Sequence, residues 1–262
     1  MNESESIDLK GASLDEYVLS DGGNRGAVII CPGGAYAFLS PREGEPVARA
    51  FNKAGFHAFV LHYSCAPAPL GFLPLRQLGQ AVASVRERAE SLRVDPDRVA
   101  VCGFSAGAHL AASLGVFWDR DALFPSGPDA GARRPNALIL SYPVITSGSA
   151  AHRASFERLA GSDRGKQEAF SLERFVSERT PPSFMWHTAT DETVSIQNSL
   201  LFFQALTVHG VASELHVYSD GPHGLSLATA EVEDPEKNRF ADPHVATWFD
   251  LATQWLPTAA GR

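Results

Sequence analysis

Apolar runs rich in β-branched residues alternate along this chain with stretches whose apolar positions recur at helical spacing. The runs predict six strands, at 27–31, 58–63, 99–103, 137–142, 184–188 and 214–218, and an edge strand at 16–20. The helical stretches are at 44–53, 76–92, 106–117, 196–209 and 244–256. Within 76–92, for example, Leu78, Val82 and Val85 lie on one stripe.

This alternation is typical of the α/β class, with a mostly parallel sheet covered by helices on both faces. We expect about eight strands and a single domain over 1–262, because 262 residues with 44% hydrophobic content can bury one sizeable core. The stretch 147–181 breaks the pattern. It is rich in Ser and Gly at first, then predicts short helices at 151–159 and 166–176, as a small cap-like insertion.

Composition narrows the possible partners. A net charge of −8 without a basic run argues against nucleic acid and anionic membranes, and no apolar run approaches the roughly 18 residues that span a bilayer. The N-terminal residues lack the basic and apolar regions of a signal peptide, so we expect a cytoplasmic protein. The three cysteines, Cys31, Cys65 and Cys102, are predicted to be free thiols. No zinc-ligand spacing is present, and we expect no metal or cofactor; a homo-oligomer stays open.

Residues 99–107 hold the most specific chemical signal, because a short apolar run leads directly into Gly-Phe-Ser-Ala-Gly and then into a helical stretch. A strand, tight turn and helix are the context of a nucleophile elbow, with Ser105 as nucleophile and glycines at the crowded positions Gly103 and Gly107. The five-residue motif occurs often by chance. The prediction therefore depends on its context and on partners elsewhere in the chain.

A serine nucleophile needs a base, and His223 is the best-placed candidate. It lies in Gly-Pro-His-Gly, directly after the last predicted strand. The other late histidines are less suitable, because His209 ends a helix, His216 lies within a strand and His244 begins the final helix. The alternative is an ordinary surface-turn histidine, which becomes the weaker interpretation once Ser105 lies on an elbow.

The acid that orients this base is predicted to be Asp191, in the loop after the strand at 184–188. Glu192 is its immediate competitor. Asp220 lies only three residues before His223 and would need a cramped local geometry. Asp191 could instead serve as a turn residue or helix N-cap.

Backbone N–H groups near the elbow could stabilise an oxyanion. One candidate is Ala106, which follows the nucleophile, and the others are Gly34 and Ala35 in the Pro-Gly-Gly-Ala-Tyr loop after the strand at 27–31. The choice between Gly34 and Ala35 stays open. Tyr36 and Val194 flank the predicted site as candidate substrate contacts, although packing would explain each equally well.

Seven segments together resemble a known family: 32–36, 95–99, 103–110, 140–143, 171–176, 181–188 and 214–224. The chain resembles the α/β-hydrolase fold, in particular the bacterial acetyl esterases grouped with acetylxylan esterase-like and feruloyl esterase-like enzymes. The resemblance implies that Ser105, Asp191 and His223 match the catalytic triad and that Ala106 and Gly34 match the oxyanion donors. This sequence departs from the family pattern at Pro32, where related sequences commonly have His, and at 63–64, where it has Tyr-Ser instead of a frequent Tyr-Arg.

The resemblance implies a serine carboxylic-ester hydrolase acting on small acyl groups, especially acetyl on sugars or xylo-oligosaccharides. The alternative is a broad-specificity short-chain carboxylesterase for alkyl or aryl esters. A non-catalytic binding module of the same fold is disfavoured by the full Ser, Asp and His set, and a peptidase by the lack of a further large domain.

Overall fold

The computed structural model describes residues 9, 11–20, 22–67 and 69–259, and the strands in this part of the chain form one sheet. They are β1 (Ser13–Tyr17), β2 (Arg25–Cys31), β3 (His57–His62), β4 (Val94–Phe104), β5 (Ala137–Ser141), β6 (Ser183–Thr188) and β7 (Ser213–Tyr218). Their order is β1-β3-β2-β4-β5-β6-β7, with only β1 antiparallel to its neighbour. The mostly parallel sheet is confirmed.

The seven strands correspond to the six predicted apolar runs and the predicted edge strand, so the expected total of about eight is one too high. Before β1, Leu9 and Ala12 pair only as an isolated bridge, because Gly11 between them turns the chain with a φ of 87°. The edge strand also lies earlier than the predicted 16–20. Beyond Tyr17 the chain leaves the ladder, and the Leu19 N–H donates to the His57 ring at 3.1 Å instead.

The helices of the described residues are α1 (Glu45–Lys53), α2 (Leu73–Glu87), α3 (Ala89–Leu92), α4 (Ala106–Phe117), α5 (Ala130–Arg133), α6 (Arg153–Ala160), α7 (Arg164–Gln167), α8 (Gln197–Val208) and α9 (Pro243–Ala259). Short 3₁₀ turns lie at Pro41–Glu43, Asp121–Leu123, Glu168–Phe170, Leu172–Arg174, Ala230–Val232 and Pro235–Lys237.

Two predicted helices are each divided. The helix expected at 76–92 is α2 followed by α3, separated at Arg88. The helix expected at 166–176 is α7 followed by two 3₁₀ turns, because Ser171 leaves helical geometry (φ −87°, ψ 90°). There its hydroxyl accepts from the Ser147 N–H at 2.9 Å and donates to Glu173 at 2.8 Å.

Two apolar layers sandwich the sheet. Leu78 of α2, Leu110 of α4 and Phe202 of α8 belong to the layer on one face, and Phe51 of α1 and Trp248 of α9 belong to the other. The central strands are buried almost throughout, as parallel strands covered on both faces must be, while β1 and β7 at the edges are partly exposed.

The predicted insertion at 147–181 lies between β5 and β6, at the carboxyl edge of the sheet where the candidate site is located. Its buried Phe156, Leu159 and Leu172 pack into the same apolar layer as α4. His152, which precedes α6, reaches the wall of a cleft at that edge.

Candidate active site

Ser105 occupies a sharp turn between β4 and α4. Its backbone has φ 54° and ψ −115°, a conformation that L-residues rarely adopt and that needs support from its surroundings. Its N–H donates to the Ser141 carbonyl at 3.0 Å. A Cβ at Gly103 would lie 2.3 Å from the Gly107 oxygen, and one at Gly107 would lie 2.0 Å from the Cys31 oxygen. The turn therefore requires glycine at both positions.

The structure brings the three predicted polar side chains into one line. Ser105 Oγ lies 2.8 Å from His223 Nε2, and His223 Nδ1 lies 2.6 Å from Asp191 Oδ2. Because an ionised carboxylate only accepts hydrogen bonds, Nδ1 carries the proton toward Asp191 and Nε2 is left to accept from Ser105. The arrangement can transfer a proton from the serine hydroxyl to the imidazole.

Asp191 is fully enclosed by donors. Its Oδ1 accepts from the Thr193 and Val194 N–H groups, each at 2.9 Å, and its Oδ2 lies 3.3 Å from His187 Nε2. Burial by itself raises the pKa of Asp191, but the hydrogen bonds from His187 and His223 outweigh it and hold this pKa well below its usual range. The carboxylate therefore stays ionised at neutral pH.

The structure also separates Asp191 from its sequence competitors. Glu192 is exposed, and Asp220 is exposed with its carboxylate accepting from Thr190 Oγ1 at 2.7 Å. Asp191 does accept the backbone bonds of a turn residue, as the alternative interpretation expected, but it does so with the oxygen that His223 leaves free.

Sequence reasoning missed His187, which lies on β6 four residues before Asp191. Its ring is fully buried, with Nδ1 2.8 Å from Ser199 Oγ and Nε2 2.9 Å from the Val194 oxygen. A carbonyl oxygen only accepts, so Nε2–H donates to Val194, and the Asp191 carboxylate lies beside the same N–H group at the longer distance of 3.3 Å. The one sequence signal for this contact with Asp191 is the position of His187 on an apolar strand four residues before an acidic loop residue.

Four backbone N–H groups lie near Ser105, and three of them, those of Ala106, Gly34 and Ala35, are available to bind an oxyanion. Ala106 is the first residue of α4, so its N–H has no acceptor within the helix. Gly33 donates to Glu43 Oε2 at 2.8 Å and is thereby occupied. In the described residues the N–H groups of Gly34 and Ala35 donate to no protein atom. Positive φ values of 133° at Gly34 and 55° at Ala35 turn this loop sharply.

Glu43 is a second residue that the sequence did not suggest. Only 3% exposed, it accepts from the Gly33 N–H and, at 2.7 Å, from the Tyr142 hydroxyl. The Tyr142 oxygen in turn accepts from the Ser226 N–H at 3.0 Å, and its ring packs edge-on against His223 with centroids 4.9 Å apart. One buried carboxylate thus links the loop at residues 32–36 to the loop that carries His223.

Two arginines fix the His223 loop from outside. Arg42 donates to the Gly224 oxygen at 2.8 Å and to the Val232 oxygen at 2.6 Å. Arg239 donates to the His223 oxygen at 2.7 Å. Both side chains also line the cleft. Each arginine therefore holds the backbone of the His223 loop and adds a positive charge to the wall of the cleft.

The cleft above Ser105 has a volume of about 340 Å³, a size that suits a small ligand. Its lining comprises Gly34, Ala35, Phe38, Ser40, Pro41, Arg42, Glu43, Ser105, His152, Thr193, His223, Gly224, Asp234, Lys237 and Arg239. Tyr36 and Val194 are absent from it, each 1% exposed, and the Tyr36 hydroxyl bonds the ring of His109 at 2.8 Å. Packing, rather than the predicted substrate contact, fits both residues.

Within the described ranges, no group of three or more His, Cys, Asp and Glu side chains could hold a metal ion, and no helix is long and apolar enough to cross a membrane. All three cysteines are free. Burial raises the pKa of the Cys31 and Cys102 thiols, which keeps them protonated.

The elbow, the parallel sheet and the order Ser, Asp, His define a hydrolase of the α/β type. The chain belongs to the alpha/beta hydrolase fold family Abhydrolase_3, whose model matches residues 28–227.

Two of its relatives have names that refer to xylan. The chain is 36% identical over 226 residues to endo-1,4-beta-xylanase B of Butyrivibrio fibrisolvens, covering 84% of this chain and 35% of that protein. It is 28% identical to an acetylxylan esterase of Xylanibacter ruminicola, covering 78% of this chain and 42% of the other. The chain therefore spans less than half the length of these two relatives.

Among solved structures, an acetyl ester-xyloside bifunctional hydrolase from Caldicellulosiruptor lactoaceticus superposes with a TM-score of 0.82 at 35% identity. The match covers 94% of this chain and 87% of that one, so the shared fold extends over nearly the whole molecule.

Proposed function

We propose that this chain is a serine carboxylic-ester hydrolase that removes small acyl groups, acetyl above all, from acetylated sugars or xylo-oligosaccharides. The observation that carries the proposal is the row of hydrogen bonds from Ser105 through His223 to Asp191, with contacts of 2.8 and 2.6 Å at the base of the cleft. We propose further that the chain acts as one domain, in the cytoplasm, without a cofactor.

In the acylation step, Ser105 Oγ attacks the ester carbonyl carbon while His223 Nε2 takes the hydroxyl proton. Asp191 stabilises the imidazolium that forms. The negative charge on the carbonyl oxygen is met by the N–H of Ala106 and that of Gly34 or Ala35. The tetrahedral intermediate then collapses, and the departing alkoxide takes the proton from His223.

Deacylation repeats these steps with water. His223 removes a proton from the water as it attacks the acyl carbon, the same N–H groups stabilise the second oxyanion, and Ser105 leaves with the proton that His223 returns. The products are a carboxylic acid and the free serine.

The substrate class is supported by the lining of the cleft. Charged side chains of Arg42, Asp234, Lys237 and Arg239 line it beside apolar residues such as Phe38 and Pro41. A sugar alcohol, which has hydroxyl groups and apolar C–H surface, suits this mixed lining better than a long alkyl chain. The names of the xylan-related relatives point to the same class. A broad-specificity esterase for short alkyl and aryl esters is the alternative.

Acetate release from acetylated xylo-oligosaccharides, acetylated monosaccharides and p-nitrophenyl acetate tests the proposal. We expect the wild type to hydrolyse the sugar esters and Ser105→Ala to lose this activity by about 10³-fold or more. The matched control is Ser113→Ala, which should stay active. Ser113 is a buried serine on α4 whose hydroxyl donates to the His109 oxygen. Turnover of p-nitrophenyl acetate alone would favour the alternative.

A further inference from the structure

An exposed aromatic ring stands at the edge of the cleft. Phe38 is 56% exposed, and among the exposed large hydrophobic residues that the structure describes it is the one that lines the cleft with Ser105. Leaving this much of a phenylalanine in water forgoes part of the stabilisation that burial would give. Because this exposed ring also lines the cleft, it is available to contact a ligand bound beside Ser105.

The ring is held beside the backbone that faces Ser105. The Phe38 N–H donates to the Gly34 oxygen at 3.3 Å, and the Ala37 N–H donates to the same oxygen at 2.8 Å. A Cβ at Gly34 would lie 3.2 Å from Phe38 Cδ2 and 2.0 Å from the Phe38 oxygen. Glycine at 34 thus allows the ring to lie against the loop that supplies a proposed oxyanion donor.

The same cleft also presents hydrogen-bonding groups from the segment after the His223 loop. Asp234 Oδ2 lies 3.2 Å from Arg239 Nη1 and 3.8 Å from Lys237 Nζ, and the Lys237 side chain is 59% exposed. A carboxylate and an ammonium side by side can accept from one hydroxyl group and donate to the next. An apolar ring and this polar pair therefore share one small space.

We propose that Phe38 is the platform on which a sugar ring of the leaving alcohol stacks, with its hydroxyl groups directed to Asp234 and Lys237. A pyranose has an apolar C–H face and a polar rim, which matches the two kinds of lining, whereas a long alkyl alcohol would match the aromatic ring alone and form no hydrogen bond with the charged groups. The inference rests on the proposed ester hydrolysis and names the residues that select the alcohol.

Matched variants of the full chain test the platform. Phe38→Ala removes the ring, Phe38→Trp restores an aromatic face, and Phe240→Ala removes a ring that is similarly exposed, at 51%, but does not line the cleft. Each is assayed by acetate release from mono-acetylated xylobiose and from methyl acetate, whose alcohol is too small to reach the ring. Xylobiose is also tested as a competitive inhibitor of methyl acetate hydrolysis.

We expect Phe38→Ala to lower kcat/KM for acetylated xylobiose by about tenfold, mainly through KM, and to change methyl acetate by less than about twofold. The inhibition constant of xylobiose should rise to a similar extent. Phe38→Trp should restore both values, and Phe240→Ala should match the wild type.

Equal losses on the two esters would overturn the inference, because the ring would then only shape the loop around Gly34. Unchanged kinetics in Phe38→Ala would overturn it as well. A wild type that hydrolyses methyl acetate but not the sugar ester would refute the sugar platform while leaving the esterase chemistry intact. Activity that survives in Ser105→Ala would instead contradict the proposed function itself.

Discussion

His109, one turn after Ser105 on α4, is predicted to make the free energy of unfolding depend on pH. Its ring is 1% exposed, with Nδ1 2.8 Å from the Tyr36 hydroxyl and Nε2 2.9 Å from the Phe170 oxygen. Burial lowers the pKa of His109 to about 4, although the hydrogen bond to Phe170 opposes the shift. The ring is therefore neutral, donating to Phe170 and accepting from Tyr36.

The size of the effect follows from linkage. In the unfolded chain a histidine has a pKa of about 6.5, so at lower pH the unfolded state binds a proton that the folded state excludes. The free energy of unfolding is therefore unaffected by protonation of His109 above about pH 6.5, and it decreases as the pH falls from that value toward 4. Between pH 7.5 and 4.5 the expected loss is about 2.5 kcal/mol.

Urea unfolding of the wild type and His109→Gln at these two pH values measures this loss. A glutamine amide offers one acceptor and donors but does not titrate, so the variant should lose about 2.5 kcal/mol less than the wild type. His209→Gln, which removes an exposed histidine, should follow the wild type. Equal losses in the wild type and His109→Gln would show that His109 is not the group whose protonation lowers the free energy of unfolding.

Three further predictions concern the site and its support. Glu43→Gln should lower the free energy of unfolding by about 2 kcal/mol in urea titration, because the single amide oxygen of glutamine cannot replace both carboxylate oxygens that accept from buried donors. Glu45→Gln, which removes an exposed ion pair, should leave this free energy unchanged. Equal results for the two variants would contradict the stabilising role of the Glu43 hydrogen bonds. Gly103→Ala places a methyl group 2.3 Å from a backbone oxygen and should lower Tm by about 10 °C or more, whereas Gly131→Ala, with open space around it, should leave Tm unchanged. Asp191→Asn should lower kcat for acetate release by about 10³-fold or more, and an active variant would contradict the triad. Because the pKa of Asp191 is lowered in the folded state, its carboxylate stabilises the fold above about pH 4, and this stabilisation is lost as the pH falls below that value; Asp191→Asn should remove it.

The fold could be predicted because buried parallel strands are continuous apolar runs, but their ends could not. β4 begins at Val94, five residues before the apolar run at 99, because Val94 pairs with Arg25 in the neighbouring strand. The polar residues between carry no hydrophobic signal. Their strand conformation depends on a partner that is distant in the chain.

The triad positions could be proposed from local patterns, since Ser105, Asp191 and His223 each follow a strand and the carboxyl ends of parallel strands share one edge. Glu43 and Arg42 could not. Their contacts with Tyr142 and Gly224 join segments 99 and 182 residues apart, which no local pattern encodes.

Covalent labelling of the nucleophile is the decisive experiment for the proposed role of Ser105. The purified chain is treated with a p-nitrophenyl phosphonate that mimics an acyl ester, and the intact mass, the labelled peptide and the residual acetate release are followed together. We expect one adduct per chain, on Ser105, forming in step with the loss of activity. The adduct should be absent from Ser105→Ala and present in Ser113→Ala. Loss of activity with the adduct on another residue, or full acetate release by Ser105→Ala, would contradict the role of Ser105 as the nucleophile.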